Sequence, residues 1–371
     1  MPEPRQGGAS LRLHADRVLV VAPNWLGDAV MALPAIADVR RYYPAARLVV
    51  AARASVAPLF AVVPGIDAVL TLEWRGQALR RAARAADVAR IAAEAPDVAI
   101  LLPNSFAAAW LATQARVAER WGYARDVRRW LLTRAVRRPA GSRHQGAYYQ
   151  HLVRELGIAN GPLEPIVDVP ADALAAARRL VAAHGWTEDQ PLIAMAPGAA
   201  YGTAKRWLPS HFATLIANLA KNGVGSHLKR THDVRVVLVG SAADRETTTM
   251  IVAALPTDDD RQHVIDLTGR TSLAELAGVL RLSRVCVSND SGAMHVAAAV
   301  GTPVAALFGP TREHETAPLA RAGVERRLFI NPVWCRPCML RECPIDHRCM
   351  RGLTPEQVVH GVGEMLAVTT R

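Results

Sequence analysis

Short runs of β-branched residues alternate with Ala- and Leu-rich stretches of helical length along most of this 371-residue chain. This alternation constrains the fold more than any other feature, because it is typical of βαβ units that build a parallel sheet covered by helices. It predicts strands at 17–23, 46–52, 67–72, 97–103, 191–197, 234–240, 263–267, 284–288 and 303–309, and helices at 28–42, 54–61, 77–94 and 105–118. We therefore expect an α/β protein with two doubly wound, Rossmann-like domains facing a central cleft.

A break in this periodicity divides the chain near its middle. Gly, Pro and Asn interrupt the pattern over residues 157–172. We expect an N-terminal domain at 1–165 and a C-terminal domain at 166–371, since about 150 residues per domain also excludes a single small domain. The capping pattern at Thr354 predicts a final helix running to about Leu366, and its direction leaves open a return toward the N-terminal domain.

Composition indicates a globular protein. Hydrophobic residues make up 51% and charged residues 21%, which excludes an intrinsically disordered chain. No run approaches the roughly 18 apolar residues of a membrane span, and the N-terminal residues lack the apolar segment of a signal peptide. We expect a cytoplasmic protein, in which clustered cysteines more often bind metal or remain thiols than form disulfides.

The chain is strongly basic, with 44 Lys and Arg against 33 Asp and Glu and a net charge of +11. This balance favours acidic partners such as nucleotides, phosphorylated glycolipids, nucleic acid or an anionic membrane surface. Ten Arg and two acidic residues lie between Arg116 and Arg154, so this segment carries most of the excess. It is either a solvated face or a surface for an anionic ligand. Nucleic acid is the weaker alternative, since no helix-turn-helix, aromatic RNA-binding signature or zinc-finger spacing accompanies the charge.

Ligands of doubly wound sheets bind beyond the carboxyl ends of the strands, so the loops after the predicted strands are the candidate sites. The loop at 22–28 has neither the Gly-x-Gly-x-x-Gly of a dinucleotide site nor a Walker A motif, which argues against an NAD-dependent enzyme. It ends at Asp28, at the start of a helix. That carboxylate either caps the helix or takes part in catalysis.

The loop at 198–207 carries groups suited to a diphosphate. Thr203, Lys205 and Arg206 supply a hydroxyl and two cations beside two Gly, which permit close approach of the backbone to a ligand. Lys205 is one of only three lysines in the chain, which suggests a position where a compact charge is needed. The alternative is a solvated turn.

The loop at 289–295 opens another helix. The backbone amides of Ser291 and Gly292 would point out of the helix N-terminus and form a ready anion site. The alternatives are a helix cap for Asp290 and a core histidine for His295.

Four segments of the chain carry a family resemblance. They are NWLGDAVMALPA (24–35), PGAAYGTAKRWLP (197–209), VVLVGSAADRE (236–246) and SNDSGAMHVAAAVGTPVAALFGPT (288–311). With these segments the chain resembles the lipopolysaccharide heptosyltransferases, which are ADP-heptose-dependent glycosyltransferases of the GT-B type. Within that family it most resembles the second-step enzymes, heptosyltransferase II. The resemblance covers both halves and is weak from about 325 to 352.

The resemblance implies an inverting transfer of L-glycero-D-manno-heptose from ADP-heptose to the first heptose of the lipopolysaccharide inner core. It places the acceptor on the N-terminal domain, ADP-heptose on the C-terminal domain and the enzyme in the cytoplasm, with contact to the inner membrane an open question. No metal or other cofactor is implied for transfer. The alternative within the family is the first step, catalysed by heptosyltransferase I on Kdo-lipid A.

The resemblance also implies roles for single residues. Asp28 would be the general base, and Lys205, with Thr203 and Arg206, would hold the diphosphate. Asp290 would contact the heptose hydroxyls, beside a sugar-diphosphate site lined by Ser291, Gly292, Met294 and His295. The anionic acceptor would contact Asn24, Arg53, Arg125, Arg128 and Arg129, with Arg143 and His144 behind them.

Four of the five cysteines depart from this pattern. Cys335, Cys338, Cys343 and Cys349 lie within 15 residues of sequence, with His347 in the last gap as an alternative ligand. This density of soft ligands predicts a structural zinc site. The spacing is not that of a standard finger, so iron–sulfur ligation and free thiols remain open.

Overall fold

The structure is a computed structural model that describes residues 14–74, 77, 80–222 and 234–369. Its strands are β1 (Arg17–Val21), β2 (Arg47–Arg53), β3 (Ala68–Leu72), β4 (Val98–Leu101), β5 (Glu119–Tyr123), β6 (Arg134–Val136), β7 (Leu192–Ala196), β8 (Arg235–Leu238), β9 (Val264–Asp266), β10 (Val285–Asn289), β11 (Val304–Phe308) and β12 (Arg326–Ile330). They form two six-stranded sheets, with the orders β3-β2-β1-β4-β5-β6 and β12-β11-β10-β7-β8-β9. All the strand pairs in the described part of the chain are parallel.

Helices cover both sheets. Those described are α1 (Leu26–Met31), α2 (Leu33–Tyr42), α3 (Ala57–Phe60), α4 (Arg81–Ala93), α5 (Phe106–Gln114), α6 (Gln145–Glu155), α7 (Ala171–Ala182), α8 (Pro209–Asn222), α9 (Arg245–Ala253), α10 (Asp258–Gln262), α11 (Leu273–Leu282), α12 (Gly292–Ala299), α13 (Glu313–Thr316), α14 (Arg348–Arg351) and α15 (Pro355–Thr369). Short 3₁₀ turns lie at Arg129–Leu131, Thr203–Lys205 and Ala242–Asp244. None of the described helices is both long and apolar enough to cross a membrane.

The nine predicted strands are confirmed, and the two parallel sheets confirm the α/β class. The sequence pattern does not predict β5, β6 and β12, each of which contains arginine. The predicted helix at 28–42 is divided at Ala32 into α1 and α2, because Pro34 begins a new first turn. Part of the predicted helix at 77–94 and all of the N-terminal residues 1–13 considered for a signal peptide lie outside the described residues.

The final helix packs on the second sheet. The side chains of Val358, Val362 and Met365 are fully buried in the same apolar cluster as Trp207 and Phe212. The buried face of this helix therefore packs on the C-terminal half and not on the N-terminal half, a question that the sequence leaves open. The two sheets lie on opposite sides of the predicted division at residue 165, and that boundary stays a prediction.

The two halves meet where α1 packs against α12. Two glycines make the close approach possible: a Cβ at Gly27 would lie 2.9 Å from His295 Cδ2, and one at Gly292 would lie 2.8 Å from Leu26 Cβ. Because α1 follows β1 and α12 follows β10, this contact brings the carboxyl ends of both sheets to one cleft.

Candidate active site

A cleft of about 570 Å³ lies between the two halves. The first half contributes residues 25–28 after β1, and the second half contributes the loops after β7, β8 and β10 and the start of α11. Six of the predicted site residues line it together: Asp28, Lys205, Asp290, Ser291, Gly292 and His295. The volume is within the range of small-molecule sites.

Lys205 and Asp290 form an ion pair in the wall that the second half provides. Lys205 Nζ lies 2.7 Å from Asp290 Oδ2, and the two side chains are only 12% and 5% exposed. Thr311 Oγ1 donates a further hydrogen bond to Asp290 Oδ2 at 2.6 Å, and Lys205 Nζ lies 4.8 Å from the centroid of the Tyr201 ring. The Asp290 carboxylate thus compensates the charge of Lys205. Asp290 is not the cap of α12, because Ser291 occupies the N-cap position.

Asp28 lies in the opposite wall, as the third residue of α1. Its Oδ1 accepts a hydrogen bond of 3.4 Å from Tyr149 Oη. Burial raises the pKa of Asp28, whereas the Tyr149 hydrogen bond and the charge of Lys205 lower it and the charge of Asp290 raises it. The three charged groups therefore interact across the cleft. A carboxylate with a raised pKa is suited to accept a proton from a hydroxyl group.

The N-terminus of α12 faces the cleft at Ser291 and Gly292. Ser291 Oγ lies 3.1 Å from Ser288 Oγ. Burial lowers the pKa of His295 to about 4, so its imidazole is neutral at neutral pH. Its Nδ1 atom is buried without a hydrogen-bond partner among the described residues.

Three predicted donor residues lie outside the lining. Met294 is fully buried in the apolar core, so its predicted place in the sugar-diphosphate site is wrong. Thr203 is exposed, and Arg206 Nη1 lies 3.4 Å from Thr247 Oγ1 on α9. The structure thus brings Lys205, but neither of its predicted helpers, to the surface of the cleft.

Arg128 is the clearest correction among the predicted acceptor residues. It is fully buried, its Nε donates to Tyr123 O at 3.0 Å, and its Nη1 donates to Ser105 O at 3.2 Å and to Pro103 O. Burial lowers the pKa of this guanidinium to about 10. Arg128 therefore holds backbone segments together and is not exposed to an acceptor. Its neighbours Arg125 and Arg129 are exposed.

The other predicted acceptor residues lie around the first sheet. Asn24 and Arg53 line a separate hollow of about 30 Å³ at the ends of β1 and β2. Arg143 is half-buried, and His144 Nε2 lies 2.8 Å from Ala317 O, which links the two halves.

Part of the lining is not predicted from the sequence. After β8 it comprises Val239, Gly240, Ser241 and Asp244, and before and within α11 it comprises Thr271, Ser272, Leu273 and Leu276. The sequence signal that could have identified the residues after β8 is the end of a strand in VVLVGSAADRE, because ligands bind at the loops that follow the carboxyl ends of parallel strands. Ser272 and Glu275 form a capping box at the start of α11, and Ser272 lies at the cleft wall.

The four clustered cysteines surround one hollow of about 20 Å³ together with His347. The described residues contain no group of three or more His, Cys, Asp or Glu side chains arranged to hold a metal ion.

The cysteine segment packs on the Lys205 loop. Tyr201 Oη donates to Met339 O at 2.7 Å, Ala204 N donates to Arg341 O at 2.9 Å, and His347 Nε2 lies 2.7 Å from Ala204 O. It therefore supports the loop that presents Lys205.

Two Rossmann-like halves face one cleft, which is the architecture of a GT-B glycosyltransferase. One half supplies a carboxylate to the cleft, and the other supplies a cation and a helix N-terminus. The sequence profile of glycosyltransferase family 9 (heptosyltransferase) matches residues 86–348. The chain belongs to this family and is a glycosyltransferase.

Similar proteins extend over nearly the whole chain. It is 30% identical over 364 residues to lipooligosaccharide heptosyltransferase 2 of Haemophilus ducreyi, covering 95% of this chain and 99% of that protein. It is 28% identical over 362 residues to lipopolysaccharide heptosyltransferase 2 of Escherichia coli K12, covering 94% and 98%. The solved structure of E. coli ADP-heptose lipopolysaccharide heptosyltransferase II has a TM-score of 0.78 at 27% identity, covering 96% of this chain and all of that one.

Proposed function

We propose that the protein transfers L-glycero-D-manno-heptose from ADP-heptose to the first heptose of the lipopolysaccharide inner core, with inversion at the anomeric carbon. The observation that carries the proposal is that Asp28, from the first half, shares one cleft with Lys205 and Asp290 from the second. The two relatives and the solved structure described above are named heptosyltransferase 2 or II, which favours the second heptose addition over the first.

In this proposal the domain at 166–371 binds the donor. The diphosphate lies between Lys205 and the amides at the N-terminus of α12, where a cation and free N–H groups compensate its charge. The adenine ring lies against the apolar wall formed by Val239, Leu273 and Leu276. Asp290 and His295, which both line the cleft, then contact the sugar hydroxyls.

Transfer is a single displacement. The acceptor hydroxyl oxygen forms a bond to the anomeric carbon while the bond from that carbon to the diphosphate oxygen breaks, and Asp28 takes the hydroxyl proton. ADP leaves with the electron pair, and the charge of Lys205 stabilises the leaving diphosphate. Attack opposite to the leaving group inverts the anomeric centre. Because Lys205 and the helix amides supply the positive charge, we propose that transfer needs no metal.

The domain at 1–165 binds the acceptor in this proposal. Kdo carboxylates and lipid A phosphates are anionic, and the exposed Arg125 and Arg129 and the hollow of Asn24 and Arg53 suit them. The acceptor is a membrane lipid, so the enzyme acts in the cytoplasm at the inner-membrane face.

The test is mass spectrometry of acceptors incubated with ADP-heptose in the presence of EDTA. We expect addition of one heptose to heptosylated Kdo-lipid A and none to Kdo-lipid A. Addition to Kdo-lipid A alone would assign the first step, and addition to neither would overturn the donor or the acceptor. Activity only without EDTA would overturn metal-independent transfer.

We also propose that Cys335, Cys338, Cys343 and Cys349 hold a structural zinc ion. Support comes from their position around one hollow that His347 also lines. Four thiolates are a suitable donor set for Zn²⁺. Mass spectrometry of metals should find about one zinc per chain. The Cys335→Ser/Cys338→Ser variant should lose it and a Cys286→Ala control should keep it, whereas metal-free wild-type protein would overturn the site.

A further inference from the structure

A group of large apolar side chains projects from the first half. Val127 is 84% exposed, Trp130 is 70% exposed and Phe106 is 40% exposed, and the rings of Phe106 and Trp130 are 6.2 Å apart. Arg125 and Arg129 are exposed beside them. We call these five residues the Trp130 tip. Exposed apolar patches on a folded domain commonly mark a binding surface.

The backbone holds this tip outward. Asp126 and Val127 have φ angles of 51° and 55°, a left-handed conformation that is unfavourable for a β-branched residue such as Val127. The next residue, Arg128, is buried and bonds to backbone oxygens of Tyr123 and Ser105. One side chain of the turn is thus anchored inside while its neighbours are turned to solvent. The fold maintains the exposure of Val127 at a cost in backbone strain.

The charge around the tip selects the kind of partner. Arg134, Arg137 and Arg138 are also exposed, and the 116–154 segment holds ten Arg against two acidic residues. Trp side chains are favoured at the interface of a bilayer, and Arg beside them is attracted to anionic lipid headgroups. A second copy of the chain would bring two basic tips together, which is unfavourable.

We propose that the Trp130 tip docks the protein on an anionic lipid bilayer, with Phe106, Val127 and Trp130 entering the headgroup region and Arg125 and Arg129 contacting lipid phosphates. The tip follows β4 and β5, at the same sheet edge as the loop that carries Asp28 after β1. Docking there turns the acceptor side of the cleft toward the membrane. The advantage of docking for catalysis rests on the proposed function, in which the acceptor is a lipid. The docking of the tip on a bilayer does not depend on that function.

The experiment is sedimentation with vesicles of phosphatidylethanolamine and phosphatidylglycerol, with phosphatidylcholine vesicles for comparison. We expect the wild-type chain to bind only the anionic vesicles. The Val127→Ser/Trp130→Ser and Arg125→Ser/Arg129→Ser variants should each bind about tenfold more weakly or worse. Trp334→Ser is the matched control, because Trp334 is 76% exposed and lies in the second half. Equal binding by wild-type and tip variants, or no wild-type binding, would overturn the proposal.

Activity separates docking from acceptor recognition. With a delipidated, water-soluble heptosylated Kdo oligosaccharide, the Val127→Ser/Trp130→Ser variant should keep the wild-type kcat/KM, whereas it should lose activity on acceptor in anionic vesicles. Loss on the soluble acceptor would place the tip in the sugar site and overturn docking as its role. If the Val127→Ser/Trp130→Ser variant instead keeps wild-type vesicle binding but loses binding to RNA or to a second copy of the chain, the tip has another partner and membrane docking is overturned. If the wild-type chain transfers nothing, the proposed function fails while the sedimentation result still stands.

Discussion

Lys205 Nζ and Asp290 Oδ2 lie 2.7 Å apart and join two loops that are 85 residues apart in sequence. Because both side chains are nearly buried, each charge depends on the other for compensation. A diphosphate in the cleft offers Lys205 a second anionic partner. The position of Asp290, and with it the contacts available to the donor sugar, is therefore coupled to donor binding.

Lys205→Ala should weaken ADP binding, slow transfer and destabilise the fold. The stability loss should be about 3 kcal/mol, because Asp290 remains buried without its cation. Lys205→Ala/Asp290→Asn should recover much of the stability but not the ADP affinity, since the unpaired carboxylate is gone while the cation is still missing. Titration calorimetry with ADP and urea unfolding measure the two effects, and unchanged ADP affinity would count against the phosphate role.

Asp28→Asn should reduce turnover by about 100- to 10,000-fold, because an amide cannot accept the hydroxyl proton. ADP affinity should be largely kept, as the residue belongs to the acceptor half. The variant should also be more stable than wild type at neutral pH: the raised pKa means that ionised Asp28 costs folding stability above its ordinary pKa, and Asn removes that cost. Single-turnover rates and thermal unfolding test both parts, and a wild-type rate would exclude Asp28 as the base.

The sequence predicts the cleft because strand-to-loop transitions at one sheet edge are visible in the pattern. Asp28, Lys205 and Asp290 follow predicted strands, so their meeting is expected from topology. The ion pair between two of them is not, because a motif gives no information on which charges compensate each other. Met294 fails as a prediction since the motif does not fix the helical phase of α12, which turns that side chain into the core.

The strands that the sequence does not predict share a physical cause. β6 and β12 are edge strands of the two sheets, and β5 lies next to β6. All three contain partly or fully exposed arginine, which breaks the apolar pattern. In the same region no pattern distinguishes Arg128, which turns inward, from Arg129, which does not.

Tyr149→Phe should shift the acid limb of kcat/KM to higher pH. The Tyr149 hydroxyl stabilises ionised Asp28 and so lowers the pKa of Asp28, whereas burial raises it. Without the hydroxyl, the pKa of Asp28 therefore rises further. The base is then protonated over a wider range, so activity falls earlier as the pH decreases. Tyr148→Phe is the matched control, because Tyr148 Oη pairs with Asn104 instead. pH–rate profiles with coincident acid limbs for wild type and Tyr149→Phe would contradict the link.

His295 should make the protein sensitive to acid. Burial lowers its pKa to about 4 from the ordinary 6.5, so the unfolded chain takes up the proton first. Its contribution to stability is present above pH 6.5 and is lost as the pH falls toward 4, by up to about 3 kcal/mol. His295→Asn should flatten this slope in urea unfolding measured from pH 7 to 4, whereas the exposed His360→Asn should not. Identical slopes in His295→Asn and wild type would disprove the assignment.

Arg128 and Arg129 are adjacent in sequence and should respond to substitution in opposite ways. Arg128→Ala removes hydrogen bonds to the backbone oxygens of Tyr123 and Ser105 and leaves a buried void, so unfolding should become easier by about 2–4 kcal/mol. Arg129→Ala should change stability by less than about 0.5 kcal/mol, because the side chain is exposed. It should instead raise KM for the anionic acceptor, and the difference from wild type should shrink with added salt, since exposed charges are screened. Urea unfolding and steady-state kinetics at two salt concentrations give both readouts. A stable Arg128→Ala protein with a raised acceptor KM would reverse the two roles.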